Sequence, residues 1–130
     1  MFRPQSIVER KSALFSVVVT GVIAILALPV IIPHLLHGFH IAHIFLHMGG
    51  ITLAIFITIL ATLAYTKLKT KRLLLSTIAF GNFIGAEITL LIDATWSNVF
   101  NLGDFPLLEV GHLLTFTTLG LLALGVFRND

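Results

Sequence analysis

Four stretches of this chain, residues 13–32, 41–64, 73–92 and 107–127, are each about as long and as apolar as a helix that crosses a bilayer, which takes roughly 20 residues. Hydrocarbon offers no partner to a backbone N–H or C=O, so a segment of this kind must satisfy its backbone internally, and the helix is the open-chain solution. The first run is interrupted only by Ser16, Thr20, Gly21 and Pro29. A removable leader would have a shorter core and a polar continuation; here the run leads into more apolar sequence, and the expectation is a retained span. A chain with 57% hydrophobic and 11% charged residues lies outside the range of soluble domains. The fold class expected is therefore all-α, a four-helix transmembrane bundle in one domain covering residues 1–130.

The cations give that bundle an orientation. Arg3, Arg10 and Lys11 precede the first run, Lys67, Lys69, Lys71 and Arg72 lie between the second and third, and Arg128 follows the fourth. All eight basic residues thus fall on one side, which the positive-inside tendency makes cytoplasmic, with both termini. The expected location is the cell membrane as a multi-pass protein. Topology accounts for the Lys/Arg run at 67–72, so a nucleic-acid patch is not called for. On the opposite side the segment DATWSNVFNLGDF, residues 93–105, carries turn residues, acids and aromatics but no cation. Pro33 is expected to end the first helix or to open the next at its first turn.

The absence of cysteine removes disulfides, thiolate metal sites and cysteine nucleophiles. Chemistry must come from the ionisable residues at membrane depth, each of which costs a few kcal/mol unless it finds a partner, a cavity or a shallow position. His43, His47, Glu87, Asp93, Glu109 and His112 are of this kind. Five of the six histidines lie in HLLHGFHIAHIFLH, residues 34–47, and His40, His43 and His47 share one helical stripe, within about 60° of one another. Counting from the outer boundary at 1.5 Å per residue puts His47, Glu87 and His112 at a common level about 9 Å down. His34, His37 and His40 fall above it, as ordinary interfacial residues or, as the less favoured reading, a surface cation site.

Spacing also pairs His43 with His47 and Glu109 with His112 on single helix faces. A metal site of His43, His47, Glu87, Glu109 and His112 would suit copper, zinc or iron, whose ligand preferences include imidazole and carboxylate. A b-type haem between His47 and His112 is a second cofactor reading, less suited because Glu87 shares the level. The plain alternative is that the same residues hydrogen-bond across helices and hold the bundle together. A small transporter or proton path is a third class. The sequence leaves these open.

Small residues recur at four-residue spacing in three runs: Ser12/Ser16/Thr20/Ala24, Gly50/Ala54/Thr58/Thr62, and Thr77/Gly81/Gly85/Thr89, the last containing a GxxxG. Such stripes let helices approach closely, and Gly85 lies about 200° around the helix from Glu87, so the smooth face and the acid face nearly opposite ways. Partner membrane subunits are expected at Gly81 and Gly85. No phosphate loop, nucleophile elbow, HExxH or dense set of histidine boxes is present, and an enzyme acting on its own is not expected.

The basic hairpin LKTKRLLLSTIAFGNFIGAEITLLID and the closing PLLEVGHLLTFTTLGLLALGVF resemble the small four-helix membrane proteins common in archaea. Among these the layout is similar to the short accessory subunits that accompany archaeal ammonia monooxygenase, a copper membrane oxygenase. The resemblance implies a non-catalytic helical subunit on the periphery of a larger membrane complex, with the copper chemistry in other chains. It carries no ligand set onto residues of this sequence.

Overall fold

The computed structural model describes the backbone of residues 4–34, 38–96 and 99–128, with the side chains of 10–33, 41–96, 99–100 and 103–128. It is 91% helical, and four of its helices are long and apolar enough to cross a membrane. Helix α1 spans Pro4–Leu26 and continues through a π-helical segment, Ala27–Ile31, into a short α2, Ile32–His34. Pro29 causes the π segment: its ring nitrogen donates nothing, and the chain takes up the loss by widening one turn, with the Ile32 N–H bonded to Ala27 O. Pro33 is the second of the three residues of α2, in the last turn described before residue 35.

Helix α3, Gly38–Leu68, is longer than the apolar run that predicts it and carries His40, His43 and His47 on its first turns. It stops at Lys69, whose φ of 55° is left-handed, and the Lys69 N–H closes on Tyr65 O at 2.8 Å. Thr70 then caps α4, Lys71–Thr95, its hydroxyl accepting from the Leu73 N–H at 3.4 Å. Two residues therefore reverse the chain. Helix α4 includes Asp93 in its last turn, so that acid belongs to the helix and not to the loop. The loop itself contains a small antiparallel hairpin, β1 Asn101–Leu102 and β2 Phe105–Pro106, which composition does not announce. Gly103, at φ 65°, takes the first central position of its two-residue turn. Helix α5, Leu107–Phe127, ends the fold.

The bundle is open. Helix α4 packs along α3 on one side and α5 on the other, while α1 packs more lightly on α3; the remaining pairs of long helices make only marginal contact. The core sits among α1, the π segment, α3 and α4, where Val18, Val22, Val30, Ile44, Met48, Ile51 and Leu91 are buried. Phe15 and Phe56 meet edge to face at 5.2 Å across α1 and α3.

On the α5 side of the α4–α5 seam small residues recur at seven-residue spacing, Gly111, Thr118 and Gly125, all buried; Ala79 and Ala86, also seven apart, are buried on α4. A Cβ at Gly111 would lie 2.5 Å from Leu90 Cδ2, so glycine is what lets Leu90 in. Asn82 pins the seam, donating from Nδ2 to Leu114 O at 2.7 Å and to Thr118 Oγ1 at 2.9 Å. Arg72 Nε donates to Gly125 O at 3.2 Å at the cationic end.

Two outcomes follow for detergent-solubilised protein monitored by thermal unfolding. Lys69→Gly removes the penalty of a side chain in the left-handed region and raises stability by up to about 1 kcal/mol, whereas Lys69→Val lowers it. Asn82→Leu deletes both cross-helix bonds and costs about 1 kcal/mol, in line with measured interhelical bonds in membranes.

Candidate functional site

The polar centre of the chain is a line of three side chains between α3 and α4. His47 Nδ1 donates to Glu87 Oε2 at 2.9 Å, and His47 Nε2 lies 3.2 Å from His43 Nε2. The helix period sets this up: His43 and His47, four residues apart, stack on one face of α3, and α4 runs antiparallel so that residue 87 comes level with residue 47. The His43 and His47 rings are edge to face, centroids 4.6 Å apart and planes at 87°. His47 and Glu87 side chains are only 14% and 12% exposed, while His43 is exposed at the rim.

Gly50 makes the contact possible. It lies one turn below His47, and a Cβ there would meet Glu87 Oε2 at 2.6 Å and Cδ at 2.7 Å. The carboxyl group thus occupies the volume that any other residue at 50 would fill. Ala54, the next member of the same stripe, is 2% exposed, so the Gly50–Ala54 part of this small-residue row is covered within the chain, whereas Thr62 at its far end is exposed.

Electrostatically the carboxylate does one definite thing. By accepting from Nδ1 it fixes the proton of a neutral His47 on that nitrogen and leaves the Nε2 lone pair facing His43. His43 Nε2 lies against that lone pair at 3.2 Å. A carboxylate and an imidazole that would each be costly alone in hydrocarbon are thereby matched.

The five residues expected to form one metal site do not come together as a set. His43, His47 and Glu87 are joined, whereas Glu109 and His112 are exposed on α5, and no hydrogen bond among the described residues links them to the three. The reason lies in the open bundle, because α4 separates α5 from α3 and the face α5 gives to α4 is the Gly111/Thr118/Gly125 row. Glu109 and His112 lie about 200° and 100° around the helix from Gly111. His47 and His112, the two residues of the haem reading, lie on α3 and α5, which make only marginal contact. Among the described residues no group of three or more His, Asp or Glu side chains forms a metal shell. The side chains of His34, His37 and His40 lie outside the described residues.

Sequence reading missed Gly50 and Asn82 as parts of the polar architecture. Gly50 was legible only as one member of a small-residue stripe, since nothing in the sequence says that the stripe receives a carboxylate. Asn82 sat inside the GxxxG and its amide was the available signal: an amide at mid-span needs partners, and here it has two.

Gly50→Ala is expected to leave α3 helical and to push the flexible Glu87 carboxyl aside, breaking its bond to His47. The readout is the imidazole nitrogen spectrum of His47: in the wild type Nδ1 is protonated, and in Gly50→Ala the two tautomers mix. An unchanged His47 spectrum in the variant would show that Glu87 does not set the tautomer. No family model matches this chain, and neither does any curated protein or solved structure.

Proposed function

We propose that this chain is a small, non-catalytic helical subunit of a larger membrane protein complex. The observation that supports this best is how the glycines divide. Gly50 and Gly111 each accommodate a side chain from the neighbouring helix, but a Cβ at Gly81 or at Gly85 would meet nothing within 4 Å. The GxxxG of α4 is therefore a smooth face that none of the described residues fills. Thr77 and Thr89, which extend that face, turn their hydroxyls back onto Leu73 O and Gly85 O at 2.8 Å each, so the surface offered is apolar as well as narrow. The stripe of α1, Ser12/Ser16/Thr20/Ala24, is also exposed.

In this reading the helices span the cell membrane with both described ends of the chain on the cytoplasmic side, as the cation distribution favours. A second transmembrane helix lies against Gly81 and Gly85. A copper membrane oxygenase is the parent complex that the layout resemblance suggests, with its chemistry in other chains.

The test is native-gel migration of a gently solubilised source membrane, with co-migrating chains identified by mass spectrometry. The chain should travel with larger membrane subunits. Gly81→Leu and Gly85→Leu should release it, while the helical circular dichroism and melting of the isolated chain stay as in the wild type, because both positions face open space. Migration of the wild type as a lone small chain would contradict the proposal.

A further inference from the structure

We propose that His43 and His47 form a binding site for a divalent transition-metal ion, Cu(II) or Zn(II), with Glu87 holding His47 in the coordinating tautomer. Two nitrogen ligands at 2.0–2.1 Å from one tetrahedral ion lie about 3.3–3.4 Å apart. The two Nε2 atoms are 3.2 Å apart before any ion is considered. The ring centroids are 4.6 Å apart, which excludes an alignment in which the N–H of one ring and the lone pair of the other both point along the N···N line. As a hydrogen bond the contact is poorly directed; as the edge of a coordination sphere it has the right length.

The second nitrogen of His47 strengthens the case. A metal-bound imidazole commonly donates its other N–H to a carboxylate, which fixes the tautomer and raises the basicity of the ligand nitrogen. The Nδ1–Glu87 bond at 2.9 Å supplies that arrangement, and Gly50 supplies the space for it. His43 is exposed while His47 is largely buried, so an ion would reach the pair from the His43 side. The described residues provide two ligands and no third His, Asp or Glu, which leaves the remaining positions for water or an external donor. Imidazole suits both Cu(II) and Zn(II), and affinity along the divalent first-row series peaks at Cu(II). This site is independent of whether the chain joins a complex.

The experiment uses the full chain in mild detergent at neutral pH, titrated calorimetrically with Cu(II) alone and with Zn(II) alone. One ion per chain should bind. His43→Ala and His47→Ala should each weaken binding by about tenfold or more, and Glu87→Gln by about 10–100-fold, as for other partners of a metal-bound histidine. His112→Ala, on α5, should bind as the wild type does. Because a variant can fail to fold, the Cu(II)-loaded wild type is also examined by electron paramagnetic resonance, where coupling to two imidazole nitrogens is expected. Absence of stoichiometric binding, binding that survives both His43→Ala and His47→Ala, loss of binding in His112→Ala, or a copper signal without nitrogen coupling would each overturn the proposal. None of these outcomes bears on co-migration with larger subunits, so the two readings fail separately.

Discussion

A polar side chain on a long apolar helix must find its hydrogen-bond partner within the protein if that helix is to lie in hydrocarbon, and most of the specific structure of this chain meets that constraint. The commonest solution is local. Thr52, Thr58, Thr62, Thr77, Thr89, Thr95, Thr115, Thr117 and Thr118 all return their hydroxyl to the carbonyl four residues back, which satisfies the donor within the helix; buried Thr118 also accepts from Asn82. The groups too large or too charged for that solution must reach another helix. Asn82 and Arg72 reach α5, and His47 reaches α4 through Glu87.

Those reaches need room, and glycine provides it where it matters. Gly50 admits a carboxylate and Gly111 admits a leucine, so the α3–α4 and α4–α5 seams are each keyed by one missing side chain. The result is a central helix, α4, held on two sides by different means: an imidazole–carboxylate bond toward α3 and an amide clamp toward α5. Because α5 stays on the far side of α4, the bundle remains open, and the outer faces keep exposed apolar side chains such as Leu46, Phe116 and Leu119. Four of the helices are long and apolar enough to cross a membrane, and faces of this composition suit lipid or other apolar helices.

Much of this was legible from residues alone. The four spans follow from run length, and the shared level of His47 and Glu87 follows from counting rise per residue from each boundary, since antiparallel helices bring positions together by arithmetic. Helix ends were less legible. The turns through Leu68 and back to Gly38 extend α3 beyond its apolar core because flanking polar residues remain helical without being apolar, and Pro29 looked like an interruption although a π turn carries the helix past it. The grouping of Glu109 and His112 with the other three could not be read at all. Depth fixes height, but only the packing order of the helices decides which residues at one height are neighbours. The same limit hid Gly50, whose role depends on what lies opposite it.

The account rests on His47 and Glu87 being partners between two spans. A double-mutant cycle tests this most directly: the unfolding free energies of the wild type, His47→Ala, Glu87→Ala and the double variant, measured reversibly in detergent or bicelles. The account predicts that the single losses do not add, with a coupling of about 0.5–2 kcal/mol in favour of the intact pair. Additive losses, with coupling indistinguishable from zero, would mean that these side chains do not hold α3 to α4 and would contradict it.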